Sequence, residues 1–393
     1  MSFLTIGLLV LAAVSTAYWL VASWCTARFQ RRPPHRVSSS MPRVTILKPV
    51  RSARGHLYER LRSFCEQDCA DYQIVVGVRD ADDPAIGVVS RLMAEYPHLD
   101  LQLVVSDRVA GANPKVSNLA NLYEAAKHDV LVVADSDIHV GPDYLRTVVA
   151  PLDDPEVGLA SCLYRGVSDR GLWATLGAMF INEWFFPSVL VGARLEGVRY
   201  AFGATMVFRR QTLERVGGFA ALAPYLADDY RLGQLVAGDG RRVIIVPYVV
   251  DTSVTARSLR ELFLHELRWA RTYRTLRPLG YFFSVVTLAL PICALGLLAV
   301  EAAPAAILGT VVLAAARLGV TAVVARALDL RLDLQHLCLV PVRDTLSLAI
   351  WAASFLGRTV HWAGQRFRVD RQGKMVRVDQ SSESLTLAPE EIA

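Results

Sequence analysis

The sequence predicts an α/β domain with a mostly parallel sheet, carried between apolar segments long enough to enter a membrane. Three observations lead there. Between about 42 and 275, short β-branched runs alternate with helical patterns, as strands joined through covering helices do. From Met1 to Ala27 no side chain is charged, and residues 278–300 ("PLGYFFSVVTLALPICALGLLAV") are charge-free as well; each stretch can cross a bilayer as a helix. The chain of 393 residues is 53% hydrophobic and 20% charged, with mean hydropathy +0.32. That is too apolar for an ordinary soluble enzyme and too charged for a protein wholly embedded in lipid.

Segment 1–27 is read as an uncleaved transmembrane anchor. The alternative, a secretory signal, lacks a basic leader, and the apolar run is long for one. Arg28, Arg31, Arg32, His35, Arg36 and Arg43 follow it, and the positive-inside bias then puts the next domain on the cytosolic side. In that domain, 42–275, the strand candidates are "VTILKPV", "QIVVGVR", "LQLVVS" and "DVLVVAD". Helices are expected from about His56, from about Pro84 and around 118–127. No GxGxxG and no GxxxxGK[ST] is present, so the dinucleotide and P-loop readings lose their best support.

Beyond 278–300, residues 302–325 make a third spanning candidate, broken only by Arg317. The apolar stretch 345–357 is short for a span and is read as interfacial or re-entrant. The membrane region is thus 278–360. Residues 361–393 form a tail, basic and then polar, expected in the cytosol. The six cysteines show no CxxC pair and no disulfide density; Cys65 and Cys69 are expected to pack on a helix. The net charge of +5 gathers beside the apolar segments, where it meets anionic headgroups. Nothing in it points to nucleic acid, and the histidines show no zinc spacing.

Carboxylates gather in the loops of this domain. "GVRDADDPAI" carries Asp80, Asp82 and Asp83, "HDVLVVADSDIHV" carries Asp135 and Asp137, and "YLADDYRLG" carries Asp228 and Asp229. In an extended strand, i and i+2 project to one side, which aims Asp135 and Asp137 into one crevice beyond the strand's carboxyl end. Two readings of that pair stand: a solvated turn, or a site for Mg²⁺ or Mn²⁺ completed by substrate phosphates. For Asp228 and Asp229 the alternative to a functional role is capping of a helix N-terminus. "INEWFFPSVLVG" at 181–192 reads as core, with a lipid groove or membrane-dipping helix as the competing use of the same residues.

As a set, "GVRDADDP", "GANPKVSNL", "DSD", "FGATMVFRR", "ADDY" and "HELRW" resemble, in order and approximate spacing, the membrane-anchored glycosyltransferases of families 2 and 21. Ceramide glucosyltransferases share this order. "SFCEQD", "CLYRG" and "WFFPSV" are most similar to the bacterial hopanoid-biosynthesis branch. The likeness covers about 1 to 370, and each motif alone is weak.

The resemblance implies a GT-A nucleotide-sugar-binding domain on a bacterial inner membrane, facing the cytosol. It implies that Asp80 contacts uridine, Lys115 the nucleotide or its phosphate, and Asp135 and Asp137 a Mg²⁺ or Mn²⁺ ion, with Asp137 the direct ligand. Asp229 then matches the general base, and Arg268 and Trp269 the closing motif, from which His265 departs by replacing Gln or Arg. The reaction implied is inverting transfer from a UDP-sugar donor to the hydroxyl of a membrane lipid. N-acetylglucosamine and a bacteriohopanetetrol-type hopanoid lead, and glucose and ceramide are the alternative. A non-catalytic membrane scaffold or lipid carrier with this fold is a second alternative. A processive polysaccharide synthase needs more spanning helices than this chain offers.

Overall fold

The structure is a computed structural model that describes residues 2–33, 41–53, 56–362 and 365–378. His35 and Arg36 of the basic cluster, and the polar segment from 379, lie outside the described residues. Strands β1 (Val44–Pro49), β2 (Tyr72–Val78), β3 (Asp100–Val105) and β4 (Val130–Val133) are parallel neighbours in the order β3-β2-β1-β4. β1, β2 and β4 are buried along their whole length, which is why each reads as an unbroken apolar run. Alternation sends Ile46 and Val132 toward the Leu57–Cys65 helix and Phe64, and Leu47, Leu131 and Val133 toward the Pro114–Ala125 helix. Cys69 lies past the end of the Leu57–Cys65 helix, against Met41, rather than on it.

The other half of the sheet corrects the mostly parallel expectation. With β5 (Ile138–His139), β6 (Val157–Ser168), β7 (Met206–Arg209) and β8 (Arg242–Val254), the 8-stranded order is β3-β2-β1-β4-β7-β6-β8-β5. β7 is antiparallel to both β4 and β6, and β5 to β8, so the sheet is mixed. The chain leaves β6, runs through the Leu172–Glu196 helix and enters β7 from the end where β6 finished, so no crossover turns it round.

Among the described residues, five helices are long and apolar enough to cross a membrane: Phe3–Gln30, Leu172–Glu196, Pro278–Ala299, Pro304–Ala327 and Leu334–Ser354. The last replaces the short interfacial segment expected at 345–357. Arg343 and Asp344 cut the apolar run in the sequence, yet both are buried, paired with Glu266 and Arg317. Arg317, which interrupts the preceding segment, is 1% exposed and also bonds Glu183 and Thr321. The Leu172–Glu196 helix packs Ile181, Phe185, Phe186 and Leu190 into one core with Trp19 and Phe29 of the first helix. It widens to π geometry over Phe180–Phe185, a form that often marks functional positions.

The region 361–378 is not a free tail. β9 (Thr359–Trp362), β10 (Gln365–Val369) and β11 (Met375–Arg377) form an antiparallel sheet around Val360, Phe367 and Met375. It docks on the main domain through Leu226 N–H to Gly373 O at 3.1 Å and Met375 N–H to Pro224 O at 2.8 Å.

Candidate active site

At the carboxyl ends of β1, β2 and β4 opens a cavity of about 1600 Å³, whose wall includes the residues to which the resemblance gives a role: Asp80, Lys115, Asp135, Asp137, Asp229, Arg268 and Trp269. Asp135 and Asp137 reach it through a turn rather than by strand alternation. β4 stops at Val133, and the Ile138 N–H closes on Asp135 O at 3.3 Å. Both backbone groups of Asp135 are anchored, its N–H to Gly203 O at 3.1 Å and its carbonyl by Lys48 Nζ at 2.6 Å. Asp137 Oδ2 accepts the Thr252 hydroxyl at 2.7 Å. Burial, and then the charge of Asp135, raise the Asp137 pKa.

Lys115 sits in the first turn of the Pro114–Ala125 helix. Asn113 caps that turn by accepting from the Lys115 and Val116 N–H groups, and Pro114 takes the position where no donor is needed. The Asn113 amide also donates to Tyr225 O at 2.7 Å, tying the helix to the segment before Asp228. Lys115 Nζ lies 2.6 Å from Asp135 Oδ1 and 3.4 Å from Asp228 Oδ2. Burial opposes its charge, but Asp135, Asp228 and Asp229 outweigh burial and hold its pKa above the usual lysine range. Gly203 makes room for this pairing: a Cβ there would fall 2.6 Å from Asp135 Oδ2 and 2.7 Å from Lys115 Nζ.

Asp228 and Asp229 open the Asp228–Gly238 helix, as the capping alternative requires, but the cap residue is Ala227 and makes no side-chain bond. Asp229 Oδ1 accepts from the Tyr230 N–H at 2.7 Å, while Oδ2 reaches away from the helix to the Gly203 N–H at 2.8 Å. Helix-end bonding and placement on the cavity wall therefore coexist. Burial, followed by Asp228, pushes the Asp229 pKa up.

Asp80 stands exposed at the cavity rim, its Oδ1 accepting from the Asp82 N–H at 3.0 Å. Asp83 serves local structure instead, bonding the Ser52 and Ala85 N–H groups.

Arg268 and Trp269 lie on the Leu259–Leu276 helix, which Ser258 caps. Burial lowers the Arg268 pKa, against the fields of Tyr273, Asp135, Tyr164 and Asp229. The Trp269 ring lies 4.7 Å from His265 and 6.0 Å from Phe180. His265 faces the cavity with its side chain open to it, and desolvation on that wall, with Arg268 beside it, lowers its pKa. A neutral imidazole thus stands where the resemblance expects Gln or Arg.

Sequence reasoning missed several residues of this wall, and Lys48 behind it. Lys48 is fully buried, its ammonium 3.8 Å from the Phe64 ring centre, and burial brings its pKa down to about 7. Its signal was a lysine inside the apolar run "VTILKPV", a residue almost never fully buried without a partner. Arg60, Trp362 and Gln365 also line the cavity, and no local pattern announces them.

The family description of glycosyl transferase family 21 matches residues 7–375. The chain belongs to glycosyl transferase family 21. Among curated proteins, ceramide glucosyltransferase 3 of Caenorhabditis elegans is 26% identical over 240 residues, 60% of this chain and 52% of that one. The ceramide glucosyltransferase of Komagataella phaffii is 34% identical over 117 residues, 29% of this chain and 23% of that one. This family 21 chain therefore matches about half the length of the worm relative and less of the yeast one. Among solved structures, a mannosyltransferase of Pyrobaculum calidifontis, in complex with GDP-mannose and Mn²⁺, superposes with a TM-score of 0.56 at 22% identity. The match covers 90% of this chain and 99% of that one. The family 21 fold is thus of the GT-A type.

Proposed function

We propose that the protein is an inverting glycosyltransferase that moves a sugar from a UDP donor to the hydroxyl of a membrane lipid. One observation carries the reading: a single cavity joins the acidic turn and Asp229 to an apolar, aromatic wall of Phe180, Trp184, Phe185 and Trp269. A charged donor and a lipid acceptor can meet there. The acceptor we propose is a ceramide and the sugar glucose, the pair that the names of the curated relatives support. The hopanoid and N-acetylglucosamine reading has only short sequence motifs behind it.

Among the described residues no group of three or more ligating side chains could cage a metal. The donor set of Asp137 and Asp135 instead fits a hard cation that takes one or two carboxylates and fills its shell from phosphates and water. Bound there, Mg²⁺ or Mn²⁺ would supply positive charge to the diphosphate as it leaves. Lys115 holds Asp135 in place and Arg268 offers a fork for phosphate. Asp229 takes the acceptor hydroxyl proton as that oxygen bonds to the anomeric carbon. The bond from that carbon to the UDP oxygen breaks on the opposite face, and UDP departs with the electron pair. Trp269 and Phe180 hold the lipid next to this centre. The basic residues after the first helix support a cytosolic orientation.

The test is a transfer assay on purified protein in detergent, pairing UDP-glucose and UDP-N-acetylglucosamine separately with ceramide and bacteriohopanetetrol. Glucosylceramide is the expected product. N-acetylglucosaminyl hopanoid would move the acceptor assignment with the mechanism unchanged, and no glycolipid from any pairing, by folded protein that binds UDP, would overturn the assignment.

A further inference from the structure

Among the described residues, the cavity wall beneath the acidic turn holds a cation with no counter-ion. Arg60, on the Leu57–Cys65 helix, is only 5% exposed. It lines the cavity alongside Asp137 and Ile138, and its Nε and Nη2 are buried with no hydrogen-bond acceptor among the described residues. Lys48, from the strand the helix covers, donates to the Asp135 carbonyl and offers Arg60 no negative charge. Arg317 and Arg343, equally buried, each grip a carboxylate, Asp344 and Glu266. An arginine cannot escape burial by losing its proton, so an unpaired guanidinium is a heavy cost to the empty protein. The cost is offset when an anion enters the cavity.

The geometry says where that anion lies. Lys115 comes from the helix on one face of the sheet, while Arg60 comes from the helix on the other, the face that Phe64 and Ile46 share. Both converge at the carboxyl edge of β1 and β4, on either side of Asp135 and Asp137. A guanidinium fork fits two phosphate oxygens at once.

We propose that Arg60 is a donor-site residue that binds the diphosphate of the nucleotide sugar from the side opposite Lys115. This rests on the UDP-donor reading above. It assigns to Arg60 the affinity for the phosphates, not for the nucleoside.

The test compares the full-length wild type in detergent with Arg60→Met and Arg60→Lys. It reads melting temperature without ligand, and affinity for UDP and for uridine by calorimetry with Mn²⁺ present. Arg60→Met is expected to melt no lower than wild type, since it removes an unpaired buried charge. It should bind UDP about 10- to 100-fold more weakly, as expected for lost hydrogen bonds to a charged group, and uridine with unchanged affinity. Arg60→Lys, which keeps the charge and loses the fork, falls between. UDP binding by Arg60→Met equal to wild type overturns the proposal, as does a lower melting temperature with equal losses for UDP and uridine, the mark of a structural role. Wild type that binds neither UDP nor uridine removes the donor reading itself, and this inference with it.

Discussion

Arg343 and Glu266 meet through two parallel bonds of 2.8 Å, Nη1 to Oε1 and Nη2 to Oε2, with both side chains almost fully buried. The pair ties the Leu334–Ser354 helix to the helix bearing His265, Arg268 and Trp269. Removing one partner of a buried pair leaves an uncompensated charge, a loss of about 3–5 kcal/mol. Arg343→Met should therefore lower stability by that order and weaken acceptor use through displaced Trp269. The double variant Glu266→Leu/Arg343→Met should regain most of the stability. Thermal unfolding of the three proteins reads the result, and a double variant no better than the single one would refute the pairing argument.

Asp229→Asn should retain UDP binding and lose turnover by about 10²–10⁴-fold, the usual contribution of a positioned base. The base works deprotonated. Because burial and Asp228 raise its pKa, the rate should fall on the acid side at a pH above the ordinary carboxylate range near ~4. Asp228→Asn removes the repelling charge and should move that limb to lower pH. A pH–rate profile that ignores Asp228 would count against Asp229 as the base.

Gly203→Ala places a methyl group where Asp135 Oδ2 and Lys115 Nζ already stand. Overpacking of this kind costs about 1–3 kcal/mol, and here it also forces the 2.6 Å ion pair apart. UDP affinity should drop together with stability, and a variant with wild-type affinity would show that the pair is dispensable to donor binding.

Chelation offers a separate check on the acidic turn. UDP should raise the melting temperature of the wild type in Mn²⁺ or Mg²⁺, and EDTA should abolish that rise. In Asp137→Asn, metal addition should no longer restore it. A UDP shift indifferent to EDTA would argue that Lys115 and Arg268 suffice.

The half of the fold around β1 to β4 was legible because buried parallel strands write themselves as apolar runs separated by amphipathic helices. The helix expected around 118–127 begins earlier, at Pro114, because the Asn113 cap and Pro114 start it before the apolar pattern does. The reversal of β7 carries no local mark, since direction is set by the route of the intervening helix. Likewise, the Leu334–Ser354 helix was hidden by Arg343 and Asp344, whose charges are matched only by residues distant in sequence. Asp135, Asp137, Lys115, Asp229, Arg268 and Trp269 could be picked out because they sit in short motifs. Arg60 and Trp362 could not, because what makes them notable is where the chain returns to them.

The small sheet of β9 to β11 bears on the order in which the site can be completed. It follows all five of the long apolar helices among the described residues, yet Trp362 and Gln365 line the cavity wall, and β11 bonds the segment leading into Asp228 and Asp229. During synthesis the acidic side of the cavity emerges first, and this wall only after the last of the long apolar helices. A nascent chain halted before that point would hold its acidic residues in an open, unfinished cleft, and on the proposed function it would transfer nothing until the small sheet had docked.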